Sequence, residues 1–167
     1  DESFPTNLLI TTSCMDAGVN IIDTNLKHIV CDIKDTNTLL QSIGRKRIQG
    51  EDDKVNIYIK AIINKQLGGI KTQITNKLNK ANYLLENGTK KYILEYYKNT
   101  NDYSNIIYDD IENGVPVKRV NELMYYKCKL DICNIQLMKS YEKYGYNKFI
   151  ANQLGFWSAE EGFTYRI

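Results

Sequence analysis

The sequence is short of the features that would tie it to a metal, a disulfide scaffold or a membrane. It has one histidine, His28, and four cysteines, Cys14, Cys31, Cys128 and Cys133. No two of the cysteines form a CxxC pair, which argues against zinc and for reduced thiols in a cytoplasmic protein. No apolar run approaches the roughly 18 residues needed to span a bilayer, and no signal-peptide pattern opens the chain. A dominant charge is lacking too: 22 Lys and Arg against 20 Asp and Glu leave a net charge of +2. Any nucleic-acid binding therefore has to rest on local patches. No GxxxxGK[ST] occurs and no DExx box follows a strand. The loop that cradles nucleotide phosphates, its lysine and the carboxylates that hold magnesium are thus all missing.

What is present describes a folded protein. The apolar fraction, 43%, fits a globular domain and argues against disorder. The 167 residues suffice for one ordinary domain, or for a small domain with an extension. Leu8 to Thr12 is a short continuous apolar run closed by small polar residues, the pattern of a buried parallel strand. Lys27 to Ile33 reads as a second strand. Asp35 or Thr36 can cap a helix with Leu39, Leu40 and Ile43 on its apolar face, which Gly50 and the acidic turn Glu51-Asp52-Asp53 should end. Val55, Ile57 and Ile59 alternate with polar residues as a third strand. Strand, loop, strand, helix, strand is α/β logic, in which ligands gather beyond the carboxyl ends of the strands.

Beyond that point the pattern changes. Gly68-Gly69 interrupts it, and we place a boundary at 62/63. Ile70 to Glu86 and Thr89 to Lys98 look helical, separated by Asn87-Gly88. Asn105 to Ile111 and Val115 to Val120 flank Glu112-Asn113-Gly114, a hairpin signal. Asn121 can cap a helix running to Ser140, and Asn147 to Leu154 reads as another short one. Lys71, Lys77, Lys80, Lys90 and Lys91 form the most basic stretch, read as a solvated helix face. Tyr125-Tyr126 and Tyr141 to Tyr146 read as core and interface residues rather than as platforms for bases. Phe156 and Trp157 are expected to pack the last helix against the body.

Two segments carry chemistry. In Leu9 to Asn20 (LITTSCMDAGVN), the hydroxyls of Thr11-Thr12-Ser13 fall at a strand end, where phosphates bind. Gly18 permits a backbone approach that a side chain would block. In Gln41 to Arg47 (QSIGRKR), Gln41 and Arg45 lie four apart on one helix face. Gly44 costs up to about 1 kcal/mol of helix stability relative to alanine, which suggests a tight approach or a helix end. Arginine suits a phosphoryl group because its planar fork donates several hydrogen bonds and stays charged. On a regular helix Arg45 and Arg47 diverge by about 200°. Arg47 can join Arg45 only if the helix ends or loosens near Gly44.

In this order and about twenty residues apart, the two segments resemble motifs V and VI of superfamily 2 helicases of the DEAD/DEAH type, from bacteria or phage. The resemblance covers roughly residues 7 to 62. It implies a partial RecA-like parallel sheet with flanking helices in residues 1–62, followed in residues 63–167 by a mainly helical extension with a β-hairpin. It also implies an ATP-dependent helicase or translocase, with ATP and Mg2+ held in a longer parent and neither held tightly by this chain alone. Arg45 and Arg47 would be the catalytic arginines, and Gly18, Asn20, Gln41 and Gly44 would face the nucleotide. Thr11 and Thr12 would contact nucleic acid, DNA in preference to RNA. The other partner would be an N-terminal RecA-like lobe. Two departures stand out: Asn20 occupies a position where many members carry aspartate, and Ile48 stands where the second arginine usually falls. Alone the chain should neither hydrolyse ATP nor unwind a duplex. The competing readings are a non-catalytic RecA-like binding module and the motor subunit of a restriction system. An unpaired sheet edge would offer a route to dimerisation.

Overall fold

The computed structural model of the chain describes residues 8–12, 19–96 and 105–163. In chain order its elements are β1 (His28–Cys31), α1 (Thr36–Gly44), β2 (Asn56–Ile59), α2 (Asn64–Tyr96), β3 (Ile107–Glu112), β4 (Val115–Val120), α3 (Glu122–Ser140), α4 (Gly145–Gln153), β5 (Trp157–Ser158) and β6 (Gly162–Phe163). The class is mixed helix and strand, with three small two-stranded sheets among the described residues. The chain divides into two compact units, residues 1–62 with 147–167, and residues 63–146. No helix among the described residues is long and apolar enough to cross a membrane.

The first unit contains a βαβ arrangement. β1 and β2 pair in parallel, with Ile29 opposite Ile57 and Cys31 opposite Ile59, and α1 is the crossover between them. Asp35 caps α1: its Oδ1 accepts from the Thr38 amide at 3.0 Å and from the Thr38 hydroxyl at 3.0 Å. This satisfies an amide that the first helical turn leaves free. Leu39 and Ile43, one turn apart, are buried. The helix ends at Gly44 rather than near Gly50, so the acidic turn does not terminate it.

The expected strand at Leu8 to Thr12 is not formed. These residues are exposed and no described strand pairs with them. A continuous apolar run forms a buried strand when neighbours flank it in a sheet and layers cover both faces, and among the described residues no sheet includes this segment. At the other end of the unit, Trp157 is buried. Its carbonyl accepts from Asn152 Nδ2 at 3.0 Å, and Lys148 Nζ lies 5.6 Å from its ring centroid. Phe156, expected to share that role, is exposed.

The second unit is built on α2 and α3. Leu78, Ala81, Ile106 and Cys128 form its core, with Ile74, Val120, Met124 and Ile132 packed against it. Gly68 and Gly69 lie inside α2 and do not interrupt it. Gly88 does: its φ of 76° and ψ of 172° belong to a region open essentially to glycine alone. Thr89 then ties the kink to the hairpin, accepting from the Lys118 amide at 3.0 Å. β3 and β4 pair antiparallel, with Glu112 opposite Val115. Their two-residue turn places Asn113 at φ 52° and Gly114 at φ 79°, the type I′ geometry that matches the strands' twist. Asn121 caps α3, its Oδ1 accepting from the Met124 amide at 3.2 Å.

Candidate functional site

The end of α1 sets the course of the chain through the two arginines. Arg45 is the helix C-cap, still in the helical region at φ −69° and ψ −29°. From there the chain turns extended and pairs with the residues that follow the first segment. The Ile21 amide donates to the Arg45 carbonyl at 2.8 Å, and the Arg47 amide donates to the Ile21 carbonyl at 2.9 Å. This is a parallel bridge centred on Lys46. Extended chain alternates with period two. Lys46 therefore turns into the protein and is buried, while Arg45 is half-buried and Arg47 exposed.

The bridge joins the two sequence segments directly. Arg47 Nε donates to Asn20 Oδ1 at 3.0 Å, so the side-chain amide of Asn20 accepts from a guanidinium. Arg45 has no counterpart of this kind. Its Nε is buried and lacks a hydrogen-bond partner among the described residues, an arrangement that leaves a charged donor unsatisfied. Gly44 ends the helix, and a Cβ built there would meet nothing within 4 Å. Of the two roles its presence suggested, helix end and close approach within this chain, only the first is realised in the structure. Gln41 is exposed on α1 and makes no hydrogen bond to either arginine among the described residues. Thr11 and Thr12 are exposed, and the Thr11 hydroxyl donates to the Thr12 carbonyl at 3.2 Å. Gly18 lies outside the described residues.

Sequence reasoning missed the group beneath the arginines. Lys46 Nζ and Asp53 Oδ2 form an ion pair with both side chains almost wholly buried. Lys46 Nζ also donates to the Arg47 carbonyl at 3.2 Å, and Asp53 Oδ2 also accepts from the Gln49 amide at 3.0 Å. The Lys46 hydrogen bond first, and the Gln49 amide second, hold the Asp53 carboxyl below the usual carboxylate range. One charged pair thus closes the loop from Lys46 to Asp53. The only sequence signal was a lysine enclosed by two arginines with acids six or seven residues on. Nothing in that pattern chooses Asp53 over Asp52 or separates a buried pair from a solvated one.

A cleft of about 810 Å³ lies wholly within the second unit, where Leu85 and Gly88 of α2, Tyr108 of β3 and Tyr126 of α3 are among its walls. It contains none of the site residues above. Among the described residues no cluster of three or more His, Cys, Asp or Glu is placed to hold a metal ion.

No family model, curated protein or solved structure matches the chain. Its functional reading therefore rests on its own residues and geometry.

Proposed function

We propose that residues 7–62 are the nucleotide-facing part of the second RecA-like lobe of an ATP-dependent superfamily 2 helicase or translocase, a cytoplasmic enzyme acting on DNA in preference to RNA. One observation carries the reading. The segment ending at Asn20 and the segment bearing Arg45 and Arg47, set apart in sequence, are joined by a backbone bridge and an Asn20–Arg47 hydrogen bond. The parallel β1–α1–β2 unit beside them is the building block such a lobe requires.

The residues present fit one side of a nucleotide. An unsatisfied guanidinium donor at Arg45 suits a phosphate oxygen, and open space at Gly44 admits a close surface. They do not fit magnesium, since among the described residues no carboxylate set is gathered here. In the proposed enzyme the metal and the phosphate cradle belong to the other lobe. Bound ATP supplies the phosphoanhydride whose cleavage drives movement. Arg45 places a fixed positive charge against it, Arg47 is held by Asn20, and Thr11 and Thr12 contact the nucleic-acid backbone.

The test is nucleic-acid-stimulated ATP hydrolysis by a helicase carrying these residues as its C-terminal part, wild type beside Arg45→Ala. The expected result is a loss of at least about a hundredfold in turnover with nucleotide binding retained, within the range of an arginine finger. If the wild type shows no stimulated hydrolysis, the enzymatic reading fails. The chain is then a RecA-like binding module, as the missing GxxxxGK[ST] would allow.

A further inference from the structure

The helix α3 has two apolar faces and uses one. Met124, Cys128, Ile132, Ile135 and Met138 turn towards the unit's own interior: Cys128, Ile135 and Met138 are buried, and Met124 and Ile132 pack against the core. On the opposite side stand Leu123, Tyr126, Leu130, Cys133 and Leu137, spaced three, four, three and four residues apart. Leu123 is 79% exposed, Tyr126 64%, Leu130 52% and Leu137 42%, and Cys133 is exposed as well. That spacing is the a/d pattern of two heptads. A contiguous exposed apolar stripe of this kind marks an interaction site.

The charges beside the stripe indicate what covers it. With Leu123, Leu130 and Leu137 at a positions, Glu122 falls at g and Lys127 at the following e. In a parallel, in-register pair, g of one helix faces that e of the other. A second copy therefore adds Glu122 to Lys127, which already pairs with Asp131 of its own helix at 3.2 Å, twice by symmetry, and sets Lys129 against the neutral Asn134. The antiparallel pairing that aligns Tyr126 with Leu130 instead brings lysine against lysine. Two heptads are too few for an isolated coiled coil, but α3 is already ordered on α2 and the hairpin, so pairing does not have to order the helix.

We propose that the outer face of α3 is a self-association surface on which two copies of this chain pair in parallel, through Leu123, Tyr126, Leu130, Cys133 and Leu137. The pairing is independent of the helicase reading.

Sedimentation velocity of the full chain tests it, with Leu130→Glu and Leu123→Glu beside the wild type and helicity followed by circular dichroism. The expected result is a wild-type dimer with Kd at or below about 100 µM and a monomer for each variant, with helicity unchanged because both leucines are exposed in the single copy. Diamide supplies the second readout. It takes two electrons and two protons from a facing Cys133 pair, leaving a disulfide-linked dimer that Cys133→Ser does not form. A wild type that stays monomeric at about 100 µM, or a dimer that survives both glutamate variants, overturns the proposal. A dimer that the variants abolish but that Cys133 does not cross-link overturns the parallel register.

Discussion

Gly145 is the residue for which the structure sets the sharpest cost. It opens α4, and a Cβ built on it lies 1.8 Å from the Met138 carbonyl oxygen and 2.8 Å from that carbonyl carbon. Carbon and oxygen in close contact normally stand about 3.3–3.6 Å apart, so Gly145→Ala requires the two to separate by about 1.5 Å. Both sides of the clash are backbone, and no rotamer change relieves it. The Met138 carbonyl accepts from the Tyr141 amide at 3.3 Å at the end of α3, and the next residue along from Gly145, Tyr146, is fully buried. Either shift disturbs a fixed element. Overpacking costs about 1–3 kcal/mol, occasionally more, and a backbone clash of this size belongs at about 3 kcal/mol. For a chain of this length that lowers Tm by about 6–12 °C. Gly69→Ala is the control, because Gly69 is helical and exposed and its added Cβ meets nothing within 4 Å. Alanine there gains up to about 1 kcal/mol of helix propensity, so Tm should rise. Thermal melts of both variants beside the wild type decide the matter. A change of less than about 2 °C for Gly145→Ala, or a fall of equal size in both, would refute the reasoning.

Two further substitutions probe the first unit. Leu39 is fully buried on the helix that leads to Arg45, so Leu39→Ala should cost about 3–4 kcal/mol; a denaturant-derived loss under about 1 kcal/mol would mean the site is not packed as described. Asp53 titrates below the usual carboxylate range because Lys46 and the Gln49 amide hold its charged form. A depressed folded pKa contributes stability above the unfolded value of about 3.9 that is lost as pH falls through the folded value. Asp53→Asn should therefore lower Tm at neutral pH and flatten its decline in acid, and parallel curves of Tm against pH would sink that assignment.

The parts of the fold that could be read from sequence are those where local chemistry and tertiary need coincide. Asp35 before an apolar helical stripe, and Asn113-Gly114 between two alternating runs, specify a cap and a turn by short-range geometry, and both form. The glycines show where that logic stops. Gly68-Gly69 reads as a breaker but is carried inside α2, whose stability comes from the buried row of Leu67, Leu78, Ala81 and Leu84 and not from propensity. Gly88 breaks the same helix because its φ is positive, a demand set by the Thr89 link to β4. Leu8 to Thr12 fails the other way, since its apolar content is strand-like but no described strand pairs with it. In the site, the arginines and Asn20 were visible as residue types, while their pairing needed the Ile21 bridge, a contact about twenty-five residues away in sequence that no local pattern encodes.

The buried pair beneath the arginines bears on why the loop has its shape. Taking Lys46 and Asp53 out of water costs several kcal/mol per ion, and well-packed apolar residues often do as well or better for stability. An apolar pair would, however, leave the Arg47 carbonyl without the Lys46 donor and the Gln49 amide without the Asp53 acceptor. The charged pair is the arrangement that fixes two backbone positions at once. Those positions lie in the extended chain that follows α1 and bears Arg47. The double variant Lys46→Met/Asp53→Leu separates the two roles. It should retain or raise the Tm of the chain while loosening the arginines, seen as a fall in turnover of the proposed helicase with nucleotide binding kept. Full turnover in a stable double variant would show that the pair contributes to packing alone.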